Sequence, residues 1–391
     1  MHKLYEVDPD ADTLLIVPHA SKQFAPWQQE NSPPASPPAD ASFPAYAGLL
    51  GSTSRPPNLY ASIASNGSET RIKVSSQHLR LASKHFRNKF RHLASPQQQQ
   101  QTTQADDGRF HVTLGGFDPA AVIIVMDSIH GRGRKVPKTV SLEMLAKVAV
   151  FVDAFRCFDA VEAYAERWFE KLGEDLPSEY DRDMVLWIYA SYVFRQSEVF
   201  KRATRTAVLE SDGLIRTLGL QVRAGVIKEI DIQRQKLVRK ALEVVHNIID
   251  MLQEDKLPCS QGCDTFILGA LIKTLRRASL AWPRPSEPFP GVSYAQIVEC
   301  VNQAQAQVAD QFVPGLSSLN GSGAAQKISR KRKSPNAQPG QALTPESSPE
   351  ARPTVDSHDC GARRKLADSL SELGVEVQGL ELESKLGYYL Y

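Results

Sequence analysis

Cysteine is scarce in this 391-residue chain: Cys157, Cys259, Cys263, Cys300 and Cys360 are the only five, an odd number spread over more than 200 residues. That spacing excludes the dense disulfide framework of a small secreted domain and fits reduced thiols in a cytosolic or nuclear protein. Long apolar runs are missing too. The longest, Ala120–Met126, ends at Asp127 and is far below the ~20 residues needed to cross a bilayer, so it reads as core and no membrane association is expected. The opening MHKLYEVDPD puts acids where a secretory leader would carry an apolar stretch, so no leader is expected. Net charge is nearly absent, with 46 Lys+Arg against 44 Asp+Glu, which excludes a uniformly basic or acidic protein. Walker, nucleophile-elbow, zincin and dinucleotide patterns do not occur; the Gly131-Arg132-Gly133 run lacks the third glycine and the preceding strand. No catalytic residue, cofactor site or metal site is assigned.

Proline, by contrast, is plentiful and clustered. Residues 18–69 hold nine prolines with Ser and Ala tracts, and residues 95–107 are Gln-rich; neither buries enough apolar surface to offset chain entropy, so both read as disordered insertions. Around them the pattern is α+β. DTLLIV (12–17) and RIKV (71–74) read as strands, and 77–93 as one helix with Leu79, Ala82, Phe86, Phe90 and Leu93 in a single arc. RFHVTLGGF reads as a third strand. Asp118-Pro119 opens a helix that Gly131 stops, Ser141 opens the next, and Asp159 the one after. Beyond Pro177 the pattern is helical, with segments at 181–210, 226–253, 264–279 and 293–308. A disordered tail is expected at 314–362 and a short C-terminal element at 363–391.

In VSSQHLRLASKHF, a leucine, a serine and a phenylalanine follow Ser75 at offsets 4, 8 and 11: Leu79, Ser83 and Phe86. This set resembles the BTB/POZ domain between its second strand and second helix. DTLLIV is similar to that family's first strand, FDPAAVIIVMDSIHG to its third helix ending in a glycine (Gly131), and LEMLAKVAVFVDAFRCFDAVEAYAERWF, which contains Cys157, to its last helix pair. The resemblance covers 10–173; RDMVLWIYASYVF and PRPSEPFPG extend it to fungal BTB proteins with a helical C-terminal region. It implies a BTB/POZ-like domain over 1–173, a helical extension over 178–310, and a non-catalytic module that self-associates or docks protein partners. The recognition surface expected from the sequence is the 12–17 strand and the 77–93 helix. A cullin scaffold is the alternative partner, although the stretch after the third helix, GRGRKVPK, is basic where recruiting members carry an apolar-x-acidic motif.

Residues 70–105 hold seven cations and no acid: Arg71, Lys73, Arg80, Lys84, Arg87, Lys89 and Arg91. Arg80, Lys84, Arg87 and Arg91 fall in one stripe of a continuous helix, so nucleic acid is a third kind of partner; solvated side chains flanking a buried stripe explain the same pattern. His78, His85 and His92 recur every seven residues, about 10 Å apart along a helix at ~1.5 Å per residue, too far to share one ion. Cys259, Cys263, Cys300 and His246 lack tight ligand spacing and read as buried thiols with a core histidine. The row Glu162, Glu166, Glu170, Glu174 reads as a solvated helix face. Arg330, Lys331, Arg332 and Lys333 form a cation cluster suited to a nuclear import receptor. Localisation is expected in the nucleus or cytoplasm.

Overall fold

The computed structural model describes residues 2–19, 23–27, 68–93, 107–173, 176–257, 261–312 and 361–382. Most of the expected insertions and tail, and with them Arg330–Lys333, lie outside the described residues. The chain is α+β: one small mixed sheet packed with helices, then an all-helical stretch.

Four strands, β1 (His2–Glu6), β2 (Thr13–Pro18), β3 (Glu69–Val74) and β4 (Phe110–Thr113), lie in the order β1-β3-β2-β4. β2 runs antiparallel to β3, from Thr13↔Val74 to Pro18↔Glu69, and parallel to β4. Its TLLIVP sequence is apolar on both faces because the strand is central, with Leu15 and Val17 fully buried. This corrects one expectation: 12–17 is interior and offers no recognition surface.

β1 is a strand that the sequence reading missed. HKLYE has no run of β-branched residues, and it is held by parallel pairing with β3 from His2↔Glu69 to Glu6↔Lys73. Lys73 O also accepts from Val7 N at 3.0 Å and Asp8 N at 3.2 Å.

The expected single helix over 77–93 is two: α1 (Ser76–Ala82) and α2 (Lys84–Leu93), with Ser83 extended between them at φ −143, ψ 121. α3 (Pro119–Ile129) and α4 (Leu142–Phe155) begin where expected. Asp118 accepts from Ala120 N at 2.9 Å and Ala121 N at 3.2 Å, and Ser141 from Met144 N at 3.2 Å. Asp159 does not open the following helix; α5 runs Glu162–Leu172 from an N-cap at Val161. α6 (Arg182–Val193) is apolar all round because it is buried all round, packing on both α4 and α7 (Ser197–Glu210). α8 (Ala224–Gln253), α9 (Gln261–Arg277), α10 (Tyr294–Phe312) and α11 (Gly361–Glu376) follow; α11 starts two residues inside the stretch expected to be tail.

Two compact units emerge. One comprises Met1–Leu237, Pro290–Ser293 and Glu376–Tyr391; the other comprises Val238–Phe289 and Tyr294–Val375. α6 and α7, which the sequence assigns to the helical extension, belong to the unit that contains the sheet.

Residues 23–27, inside the expected 18–69 insertion, are an ordered anchor. Arg182 donates from Nε to Ala25 O at 2.9 Å and from Nη2 to Phe24 O at 3.0 Å, and pairs with Glu143 at 2.6 Å. Lys147 lies over the Phe24 ring, Arg216 lies 4.9 Å over Trp27, and Trp27 packs edge-on against Tyr180. Ala25, buried at φ 45, takes a backbone conformation that costs a non-glycine residue energy and needs this support. Arg182→Met leaves two carbonyls without charged donors and is expected to lower stability by about 1–3 kcal/mol. Urea midpoints at unchanged slope measure it, and cleavage within 19–27 should accelerate under limited proteolysis; an unchanged cleavage rate would show that Arg182 does not hold the anchor.

Candidate functional site

The residues that carry the sequence motif converge on one junction. Leu79 and Phe86 are fully buried. Ser83 takes its extended conformation because its hydroxyl serves two helices: it accepts from Phe86 N at 3.1 Å, capping α2, and donates to Phe155 O at the end of α4. Ser83 N still closes α1 on Leu79 O at 3.0 Å. Phe155 is the aromatic centre of the junction, stacked on Phe86 at 4.4 Å and on Phe151 at 4.5 Å, with Phe117 at 5.5 Å. Cys157 follows in the next turn. Burial pushes its thiol up to about 12, which keeps it protonated and makes it a packing residue.

Ser75 precedes α1 but its side chain makes no cap; the cap comes from β2's own approach. Asp12 accepts from Ser76 N at 2.7 Å and Ser76 Oγ at 2.6 Å. Although burial opposes ionisation, these bonds hold the Asp12 carboxyl below its usual range. Ser75 contributes its backbone N–H, donated to His130 Nε2 at 3.0 Å.

His130 is the C-cap of α3, and Gly131 beyond it sits at φ +68, the left-handed position that favours glycine at a helix end. His130 Nδ1 lies 2.8 Å from Met126 O. Because a backbone N–H can only donate, Nε2 is the acceptor, and the ring is the neutral Nδ1–H tautomer bridging α3 to the start of α1. Burial depresses its proton affinity; His78 adds to this, while the Met126 bond, Asp8 and Asp127 oppose it.

His78 stacks 4.7 Å from His130, and Asp8 completes a set whose ligand atoms lie within 4.8 Å of one another. The fold thus joins His78 to residues far away in sequence, which spacing along α1 could not reveal. Both His130 nitrogens are engaged, so a cation could use Nε2 only by displacing the Ser75 N–H. As arranged, His130 is a hydrogen-bonded latch between the end of α3 and the start of α1.

Beside it, Asp127 is buried on α3. It accepts from Tyr5 Oη at 2.8 Å, while Arg132 Nη1 stands 3.4 Å from its other oxygen and donates to Glu6 O at 2.6 Å. The first arginine of the basic GRGRK loop is therefore turned inward to hold β1, whereas Arg134 and Lys135 face solvent.

The basic stretch is less uniform than its sequence. Arg71 pairs with Glu69 at 2.7 Å, and Lys73 with Glu6 at 2.9 Å. Arg80 lies over Phe90 at 5.3 Å, and burial depresses the Lys89 ammonium. The break at Ser83 removes the continuous helix on which a four-residue stripe was expected, leaving Lys84, Arg87 and Arg91 exposed on α2.

In the other unit, His246 and Cys263 are buried, with His246 edge-on to Trp282 at 6.2 Å; Cys300 is also buried, and Cys259 lies outside the described residues. Among the described residues these do not form a ligand-distance group. Glu162, Glu166 and Glu170 face solvent. Comparison with protein-family models, curated proteins and solved structures finds no match for this chain.

Two expectations follow from the junction. Ser83→Ala leaves Phe155 O without its donor and α2 without its cap, with a loss of about 1–3 kcal/mol in urea unfolding; a change below ~0.5 kcal/mol would contradict the dual role. The His130 imidazole is neutral in the folded chain and takes its proton below the ordinary 6.5, so the unfolded chain binds more protons in that interval. Stability should fall as pH drops below 6.5 and level out beneath the folded value. His85 and His246 are depressed in the same direction, so His130→Gln should shrink the drop in urea midpoint between pH 7.5 and 5.5 without abolishing it. An undiminished drop would rule out His130 as a source.

Proposed function

We propose that this chain is a non-catalytic protein–protein interaction protein whose sheet-containing unit self-associates in the manner of the BTB/POZ domains that its motif resembles. The observation that carries the reading is the outer strand of the sheet. Among the described residues β3 is the only strand that pairs with β1, and Leu4 on β1 is 57% exposed. An edge strand with an exposed leucine favours pairing with another chain. Leu81 on α1, 81% exposed, adds a second apolar surface residue in this unit. The order of strands, paired helices α1 and α2, β4 and later helices supports the resemblance, as does the convergence of Leu79, Ser83 and Phe86 on Phe155.

The other partner classes find less support. Arg71, Lys73 and Arg80 of the basic stretch are engaged locally, which weakens the nucleic-acid reading. Arg134 and Lys135 stand exposed after α3, where a cullin scaffold would meet an acidic motif in the members that recruit it.

Light scattering on the full chain should give a concentration-dependent dimer. Leu4→Asp places a charge on the edge and should weaken association at least about tenfold, equivalent to ~1.4 kcal/mol, with far-ultraviolet dichroism unchanged. A wild-type chain that stays monomeric at ~100 μM, a concentration at which a dimer of about −5.5 kcal/mol would be half formed, would overturn the reading.

A further inference from the structure

After α11, residues 377–382 run without helix or strand along α7. The contacts come from three α7 residues on one face, Lys201, Thr204 and Arg205, spaced as neighbours on a helix surface. Arg205 Nε donates to Val377 O at 2.8 Å, and Leu380 N donates to Thr204 Oγ1 at 2.8 Å. Lys201 Nζ pairs with Glu381 at 2.5 Å. Leu380 and Leu382 are buried. Gly379, at φ +78, lies so close that an added Cβ would stand 2.0 Å from Lys201 O and 3.0 Å from Arg205 N.

These contacts have the form of peptide recognition. Main-chain groups are read by Arg205 and Thr204, alternate leucines are buried, one acid meets one lysine, and a glycine is demanded by close approach. The favourable part is small, resting on two leucine side chains, two hydrogen bonds and an ion pair with exposed partners. It opposes the entropy of ordering six residues, a term of the same order. Such a segment belongs to the parts of a structure that open locally.

We propose that this face of α7 is an exchangeable peptide site for a Gly-Leu-acidic-Leu segment, occupied in cis by residues 377–382 and open in trans to the same segment of a second copy. The glycine and the acid set its selectivity: the first by the space beside Lys201 O, the second by the Lys201 ammonium.

The probe is a fluorescent synthetic peptide of residues 375–384, VEVQGLELES, added to the full chain. In the wild type the site is filled in cis, so anisotropy should report weak binding. The full-length Gly379→Ala chain should expel its own segment and bind the peptide at least about tenfold tighter (~1.4 kcal/mol), while a peptide carrying the same alanine should bind neither chain. Limited proteolysis with a glutamate-specific protease checks expulsion, since cleavage at Glu381 should accelerate in the variant.

Faster cleavage without tighter peptide binding overturns the site, as does an alanine peptide that binds like the glycine one. Unchanged cleavage overturns the glycine requirement and the proposal with it. If Gly379→Ala does not fold, Leu380→Ala in the full chain poses the same comparison. Leu4→Asp should leave peptide affinity unchanged, so loss of edge-strand association and loss of this site are read apart.

Discussion

The first unit depends on the pairing of β2 with β3, two strands separated by residues 19–68. Their ladder closes through Pro18↔Glu69 and His19 N to Ser68 O at 3.2 Å, with His19 Nε2 2.9 Å from Thr70 Oγ1. Closing so long a loop costs only about 0.6 kcal/mol more per doubling of length, hence about 3 kcal/mol relative to a tight turn. Burying one or two side chains of the size of Leu15 or Ile72 offsets that, at about 1.5–3 kcal/mol each, and both are fully buried here. The grip of Arg182 on residues 23–27 ties part of the intervening chain to the same body. A sheet can therefore carry a Pro-rich insertion at its centre, because the strands on either side are apolar enough to find each other.

From that sheet outward, polar groups rather than periodicity decide how the helices meet it. Asp12 caps α1 from the start of β2, His130 bridges the end of α3 to Ser75, and Tyr5 and Arg132 share Asp127 across β1 and α3. Most of these contacts join groups remote in sequence and pair polar groups of different elements, which fixes the packing more narrowly than apolar contact alone. The same bonds explain why the motif around Ser75 and Ser83 reads as a pattern: Ser75 lends a backbone donor, Ser83 a hydroxyl with two partners, Leu79 and Phe86 the bulk around Phe155. Their common part is architectural.

The strand and helix sequence of the first unit was legible because its signals are strong and local: an apolar run closed by Pro18, an Asp-Pro start at α3, a serine cap at α4. Three misreadings have specific causes. β1 has polar alternation and is specified by its partner strand. The 77–93 helix keeps an amphipathic period across Ser83, so periodicity could not show that the serine caps a new helix; its place three residues before Phe86 is the signal that could have. Residues 23–27 sit amid prolines, and composition cannot tell an anchored Phe-Ala-Pro-Trp from a free one, because what anchors it is Arg182 on a distant helix.

What the amino-acid sequence determined by itself is the α+β class, the principal helices and strands, the apolar residues at their cores and the places where Pro- and Gln-rich chain replaces them. These depend on period, capping and composition, which act between residues close along the chain. Tertiary structure alone decided that β2 is an interior strand, that His78 meets His130 and Asp8, that Lys73 of the basic stretch meets Glu6, and that residues 377–382 return to α7. Each of those is a juxtaposition of groups tens to hundreds of positions apart, and no local pattern of side chains encodes which distant surface will complete it.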